Sequence, residues 1–164
     1  MDCALDIREV TADAFDDIWP ILRDVIGDED TYPWPADTTK DAAGALWFGP
    51  GARVYNAYVG DELVASRYIM PNKPGLGSHV ANIGVIIARA WRGRGLGRQL
   101  NDFAVAKARE LGFRAIQLNF VVATNEASIH ICKSNGFEIV GVLPQAFHYK
   151  RERYVDAYIM FLTL

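Results

Sequence analysis

The stretch from Ile83 to Leu111, IGVIIARAWRGRGLGRQLNDFAVAKAREL, decides the fold. It begins with an apolar run typical of a buried strand and ends in a helix predicted over Gly95 to Leu111. The glycines between them remove side chains where the helix begins, so backbone N–H groups and the helix dipole can converge on one anion. Arginines add positive charge around this turn. The stretch predicts a phosphate or pyrophosphate site, although the glycines alone also fit a tightly packed turn.

Two familiar phosphate-binding patterns do not match this turn. It lacks the Gly-Lys-Ser/Thr ending of a nucleotide P-loop. It also lacks a strict GxGxxG after the first strand, which disfavours a dinucleotide-binding fold.

Hydrophobic periodicity predicts the rest of the chain around this centre. Further helices are expected after Thr11, with Pro20 kinking or dividing the first, and from Asn125 to Asn135. A partly helical, partly irregular flap is expected from Gly27 to Pro50. Gly84, inside the longest strand, indicates a bulge or the close approach of another backbone. Together with these helices, a mixed sheet is predicted from strands at Leu5–Val10, Arg53–Val59, Glu62–Met70, Ser78–Ala88, Ala115–Val122, Phe137–Leu143 and Tyr154–Leu162.

Composition narrows the class of protein. The 164 residues fit a single domain over 1–164, and the net charge of −3 disfavours nucleic-acid binding. Cys3 and Cys132 form no CxxC or Cys/His cluster, so neither a metal site nor a disulfide framework is expected. No leader pattern and no apolar run of about 20 residues is present, which predicts a cytoplasmic protein without a membrane partner.

Two motifs resemble the GNAT superfamily of N-acetyltransferases. Arg92-x-x-Gly95-x-Gly97 is similar to its Q/R-x-x-G-x-G/A signature, and it follows a long strand at the start of a helix. The segment Asn125 to Phe137, NEASIHICKSNGF, is similar to a second landmark of the same family. The resemblance implies an α+β (mixed α/β) fold, with a single twisted mixed sheet of about seven strands flanked by helices. It also implies that the strands of this sheet splay apart where the cofactor binds.

The resemblance also implies acetyl-CoA as the cofactor. It assigns the pyrophosphate to the signature loop, the pantetheine arm to backbone groups of the preceding strand, and further contacts to the second landmark. Asn125 equally fits a helix N-cap, and both roles can hold together. The cofactor-binding residues expected from this resemblance are Val85, Ile87, Arg92, Gly93, Arg94, Gly95, Leu96, Gly97, Arg98, Asn119, Asn125 and Ser128.

Two residues are candidates for the chemical step. The chain also resembles the proline-analogue (azetidine-2-carboxylate) N-acetyltransferases, in which an asparagine matching Asn82 is important for catalysis. Independently, Asn82 interrupts an apolar strand and must find polar partners, so it orients the reacting groups or is a satisfied core asparagine. Cys132 stands where the family often has a tyrosine that protonates the leaving thiolate, and it is either that acid or plain core.

The acceptor side is less well marked. Either histidine, His79 or His148, or an ordered water is the expected base, and Arg67 either binds a substrate carboxylate or is solvated. The expected product is an acetylated small amine. The alternatives are a non-catalytic CoA-binding regulatory module and a protein or peptide N-acetyltransferase, and a homodimer is expected because relatives often dimerise. The aromatics expected to bind the acceptor, some of which fit core positions equally well, are Tyr32, Trp34, Trp47, Tyr68, Phe147 and Tyr154.

Overall fold

The computed structural model describes residues 5–164. Cys3 and the predicted absence of a leader therefore lie outside the described residues. The strands are β1 (Asp6–Val10), β2 (Arg53–Val59), β3 (Glu62–Pro71), β4 (Val80–Ile87), β5 (Ala115–Val122), β6 (Glu138–Tyr149) and β7 (Arg153–Thr163). The helices are α1 (Phe15–Gly27), α2 (Lys40–Trp47), α3 (Leu96–Glu110) and α4 (Glu126–Ser134).

All seven strands form one sheet in the order β1-β2-β3-β4-β5-β7-β6. Neighbouring strands are antiparallel except β4 and β5, which are parallel. Buried side chains of α1 and α2 pack on one face together with Ile86, and those of α3 pack on the other. The predicted mixed sheet flanked by helices is confirmed.

The sheet opens in its middle. β4 and β5 pair only through Val80 with Ala115 and Ala81 with Ile116, at the start of both strands. From there β5 continues along β7, where Val121 still pairs with Tyr158. The remainder of β4 therefore has β3 on one side and a cleft on the other.

Two local predictions differ from the structure. Helix α1 runs unbroken through Pro20, and it begins at Phe15 after a short 3₁₀ turn in which the Thr11 side chain makes no cap bond. Pro20 is exposed, while Ile18 and Leu22 of the apolar stripe are fully buried and anchor the helix on both sides of it. Packing of that stripe holds the helix together despite the missing N–H.

Gly84 also differs from its prediction. The pairing of β3 with β4 shows no register shift, so no bulge lies there. A Cβ at Gly84 would lie 2.4 Å from Cε1 of Tyr68, so a side chain rather than a backbone makes the close approach.

No helix within residues 5–164 has both the length and the apolar composition needed to cross a bilayer. The cytoplasmic location stays a prediction.

Candidate active site

The opening between β4 and β5 is a cleft of about 600 Å³. Its walls are formed by β4 and β5, by the N-terminal end of α3, by one face of α4 and by the segment before α2. Asn82 and Cys132 line it, as do the aromatic side chains Tyr32, Trp34 and Tyr68. The predicted cofactor residues that line the same cleft are Val85, Ile87, Arg92, Gly93, Gly95, Gly97, Asn119, Asn125 and Ser128.

The cleft edge of β4 presents its backbone to the opening at alternate residues. Val80 and Ala88 bond to the β3 side, through Asn72 N to Val80 O and Ala88 N to Val64 O at 2.8 Å each. In an antiparallel ladder, residue pairs that are hydrogen-bonded to each other alternate with pairs that are not. Val85 and Ile87 belong to pairs that are not hydrogen-bonded to β3, so their backbone N–H and C=O groups point away from β3. Their carbonyls accept bonds of 3.2 Å from the Tyr32 hydroxyl and from Arg92 Nε. This edge can pair with an extended ligand.

The glycine-rich turn leaves open space beside the start of α3. Gly93 and Gly95 have φ angles of 73° and 80°, a region that glycine adopts without strain. A Cβ built on either would meet nothing within 4 Å. Gly95 is the N-cap of α3 and has no side chain to satisfy the first N–H groups of the helix. These features fit a diphosphate, which would occupy the space that side chains would otherwise fill.

The arginines of the turn do not all point to this space. Arg92 binds Asp28 at 2.8 Å in addition to the Ile87 carbonyl. Arg94 stacks over the Trp91 ring at 4.8 Å, and both Arg94 and Arg98 are exposed and lie outside the cleft. The roles of Arg94 and Arg98 at the cofactor therefore stay predictions, carried by the backbone of the turn and by the positive charge that their exposed side chains add beside it.

Leu96 can contribute to the predicted cofactor site only through its backbone. Its side chain is 2% exposed and packs in the core under α3. Only its backbone remains available to an anion at the helix N-terminus.

Three of the asparagines that line the cleft each make different hydrogen bonds. Asn82 Nδ2 donates to the Gln117 carbonyl at 2.9 Å, and its Oδ1 accepts from the Tyr68 hydroxyl at 3.1 Å. Asn119 is exposed and donates to Asn72 Oδ1 at 2.7 Å. Asn125 caps α4 by accepting from Ser128 N at 3.3 Å, which leaves its amide donors free for a ligand.

Cys132 lies on α4, packed into the core and 4% exposed. Burial raises the pKa of its thiol, against the smaller lowering effects of a hydrogen bond with Ser128 and the positive charge of Arg67. The thiol is therefore protonated at neutral pH.

Arg67 was not clearly identified by its sequence. It is 1% exposed rather than solvated, it lines the cleft, and its guanidinium donates to the Leu100 carbonyl of α3. Burial lowers its pKa to about 10, so it still carries a positive charge at neutral pH. Its polar side chain in an apolar strand was the only available signal, and burial depends on α3 packing above it.

The aromatic side chains predicted to bind the acceptor divide into those that line the cleft, one that lines an adjoining cavity, and two that line neither. Tyr32, Trp34 and Tyr68 line the cleft. Phe147 lines an adjoining cavity of about 630 Å³, to which Tyr32 and Trp34 also contribute. Trp47 is fully buried behind the cleft wall, where its Nε1 donates to Ser66 Oγ at 3.1 Å.

Trp47 and Tyr154 thus lie elsewhere than predicted. The Trp47 ring is edge-on to Tyr68 at 5.0 Å between centroids, so it supports a lining residue without lining the cleft. Tyr154 is 62% exposed, stacks on His148 at 4.4 Å and lies outside both cavities. His148 lines the adjoining cavity and His79 lies outside both. The flap residue Asp30 also lines the cleft, although no sequence pattern singled it out.

Comparison with known proteins agrees with this architecture. The family model "Acetyltransferase (GNAT) family" matches residues 13–137. The N-acetyltransferase aca1 of Schizosaccharomyces pombe is 38% identical over 98 residues, which cover 59% of this chain and 47% of that protein. The chain spans less than half the length of the curated relatives it matches.

Two solved structures illustrate the likeness. A GCN5-related N-acetyltransferase from Kribbella flavida is 36% identical with a TM-score of 0.90, covering 98% of both chains. A phosphinothricin acetyltransferase from Sinorhizobium meliloti, solved in complex with acetyl-CoA, has a TM-score of 0.85 at 18% identity over 98% of this chain and 88% of that one, and so shares the fold. On the family match and on a cleft built around the glycine turn, this chain belongs to the GNAT family of acetyl-CoA-dependent acetyltransferases.

Proposed function

We propose that this protein transfers the acetyl group of acetyl-CoA to the amine of a small molecule, by direct attack while both substrates are bound. One observation carries the proposal. A single cleft combines the glycine turn, the free edge of β4, the polar pair Tyr68 and Asn82, and an aromatic wall. The donor and acceptor halves of a transfer reaction therefore adjoin each other.

The donor half of the cleft suits acetyl-CoA. The N–H groups of the turn and of the first turn of α3 would hold the diphosphate, and the cleft edge of Val85 and Ile87 would pair with the amides of the pantetheine arm. Asn119 and Asn125 lie along the opposite wall with amide groups for further contacts. Bound there, acetyl-CoA supplies an acetyl thioester activated for attack by an amine.

Asn82 is proposed to orient the reacting groups. An amide has no useful pKa, so it cannot remove a proton from the amine. Hydrogen bonds with the Gln117 carbonyl and the Tyr68 hydroxyl hold the Asn82 side-chain amide in one position. A fixed amide suits the alignment of an attacking nitrogen with the thioester carbonyl. The proton of the amine then passes to an ordered water, since His79 lies outside both cavities and His148 lines only the adjoining one, away from Asn82.

The acceptor half supports a small, partly apolar amine. Tyr32 and Trp34 contribute to both cavities, each within the range of volumes that hold drug-sized ligands. The flap that carries them forms a wall of both cavities, whereas a protein substrate would need an open groove. Amino acids and amino-acid analogues are the proposed substrate class, because the chain resembles the proline-analogue group at Asn82, Asn119 and Asn125.

Release of free CoA thiol tests the proposal. Purified protein with acetyl-CoA would be incubated with proline analogues, primary amino acids, aminoglycoside-like amines and short peptides, and each product would be identified by mass. Thiol release with small amines supports the proposal. Release only with peptides favours protein acetylation, and acetyl-CoA binding without release to any amine favours a non-catalytic module.

A homodimer is also proposed. β6 is an edge strand, and its Val140 and Val142 side chains are 59% and 52% exposed. An apolar edge strand is a suitable site for pairing with a second copy. Sedimentation of the wild-type protein and of a Val142→Lys variant would test the association.

A further inference from the structure

Within residues 5–164, Arg67 is a buried cation without a counter-charge. Its residue is 1% exposed, its Nε has no hydrogen-bond partner, and one guanidinium nitrogen donates to the Leu100 carbonyl. None of the salt bridges found in residues 5–164 includes it. A buried charge of this kind is unfavourable unless an anion joins it, and Arg67 lines the cleft through which an anion would arrive.

The ionisable side chains whose charges act on Arg67 are poor proton donors. The groups whose charges act on its guanidinium are Tyr32, Tyr68 and Cys132. Burial raises the pKa of Tyr32 and of the Cys132 thiol, and raises that of Tyr68 to about 12. A group with so high a pKa is poorly matched to give a proton to a leaving thiolate near neutral pH. The same place offers a fixed positive charge instead.

We propose that the Arg67 guanidinium stabilises the CoA thiolate as it leaves, so that no side chain needs to protonate the sulfur. The inference rests on the proposed acetyl transfer. The amine nitrogen forms a bond to the acetyl carbon while the C–S bond breaks, and the electron pair of that bond moves to sulfur. The amine proton passes to water, and the thiolate is held by the cation until solvent protonates it or it dissociates.

The position of Arg67 favours a thiolate over an acceptor carboxylate. Neighbouring residues of a strand face opposite sides of a sheet. Tyr68 packs with Trp47 on the side of α2 and the aromatic flap, whereas Arg67 reaches Leu100 of α3. Val85, whose backbone edge would align the pantetheine arm, lies directly opposite Arg67 in the β3–β4 register. The cation is therefore on the donor side of the site.

Binding of CoA and desulfo-CoA, in which hydrogen replaces the thiol, measures the effect without turnover. Calorimetry would give both affinities between about pH 6 and pH 9, where an ordinary thiol begins to ionise. The other charged groups of the cleft, Asp30 and Arg92, act on both ligands alike, so the ratio of the affinities isolates the thiol. We expect the ratio to favour CoA increasingly as pH rises, by about tenfold for each unit by which the pKa of the bound thiol is lowered.

Three variants complete the experiment. Arg67→Met removes the charge at similar length, and should leave an affinity ratio that no longer rises with pH, because binding then no longer lowers the pKa of the CoA thiol. Arg67→Lys keeps a cation and should restore part of the effect. Arg109→Met removes an exposed arginine of α3 outside the cleft, and should behave as the wild type.

Each result decides between the claims. A wild-type ratio that shows no lowered thiol pKa overturns the inference even if Arg67→Met fails to fold, and so does an unchanged ratio in folded Arg67→Met. If neither CoA nor desulfo-CoA binds, the proposed function fails together with it. If Arg67→Met instead raises KM for amino acids but not for their amides, Arg67 binds an acceptor carboxylate and the inference is wrong.

Discussion

The hydroxyl of Tyr68 donates a 3.1 Å hydrogen bond to Oδ1 of Asn82, at the point where the sheet opens. The amide nitrogen of Asn82 donates in turn to the Gln117 carbonyl of β5 at 2.9 Å. These two bonds connect β3, β4 and β5 just beyond the last β4–β5 pair at Ala81 and Ile116. An amide in this position is fixed relative to both walls of the cleft.

Asn82→Ala should therefore lower kcat by roughly 10- to 100-fold, because it removes a preorganised group at the reaction centre. CoA affinity should change less than about threefold, since the groups proposed to bind CoA are elsewhere. Steady-state kinetics and calorimetry check both numbers. Asn56→Ala removes a fully buried asparagine outside the cleft, and any loss of activity there should follow loss of folded protein. A larger effect of Asn82→Ala on CoA affinity than on kcat would contradict the orienting role.

Gly84→Ala should destabilise the protein through a clash with Tyr68. The new Cβ would lie 2.4 Å from the ring, and the cost of such overpacking is about 1–3 kcal/mol. In a Tyr68→Ala background the same substitution should cost much less. Urea unfolding of the four proteins gives the coupling energy, and additive effects would rule out the contact as the cause.

Gly95→Ala should weaken acetyl-CoA binding by at least about tenfold. The added methyl projects into the open space proposed for the diphosphate, at a φ of 80°. Gly112→Ala is the matched control, because Gly112 also has a positive φ of 86° and open space but follows α3 at its far end. Both variants should lose about 1 kcal/mol of stability from backbone strain. Calorimetry showing equal CoA affinities in the two would contradict the phosphate site.

Stability at alkaline pH should depend on Tyr68. Burial raises the pKa of its phenol from 10.0 to about 12, so the folded state retains a proton that the unfolded state loses. The stabilisation is present below pH 10 and is lost as pH rises towards 12, at about 1.4 kcal/mol per pH unit. The free energy of unfolding should therefore fall less steeply above pH 10 in Tyr68→Phe than in the wild type. Parallel curves for the two proteins would refute the assignment.

Cys132→Ala should leave kcat within about threefold of the wild type. The thiol is buried among apolar residues with a raised pKa, so it is a poor acid and packs as a small apolar side chain. Removal of the sulfur should lower stability by about 1 kcal/mol through a small cavity. Rates and thermal unfolding measure these effects. A tenfold loss of kcat in folded protein would instead identify Cys132 as the proton donor.

The parts of the site that follow from local chemistry were predictable. Glycines at 93 and 95 occupy positive φ, and α3 begins directly after them at Leu96. Asn125 caps α4 as its residue type predicts. The strands at Arg53–Val59 and Ala115–Val122 have the predicted bounds, because their apolar runs end at turn signals.

Predictions about individual side chains were less successful where packing decides. Pro20 divides no helix, since a buried stripe holds α1 together. Trp47 and Tyr154 are residue types that often line pockets, yet Trp47 is fully buried and Tyr154 is largely exposed. An aromatic side chain fits a core, a pocket or a surface equally well in sequence, and its neighbours across the sheet make the choice.

By itself the sequence determined the seven strands, the glycine turn and the family, because these depend on residue type at fixed spacing along the chain. The resemblance implied that the strands part at the cofactor, and only the tertiary structure decided where: β5 leaves β4 after Ala81 and Ile116 and continues along β7. That separation creates the cleft, and the packing of α3 over β3 buries the charge of Arg67 beside it. Strand divergence and burial arise from contacts between distant segments, which no local pattern encodes.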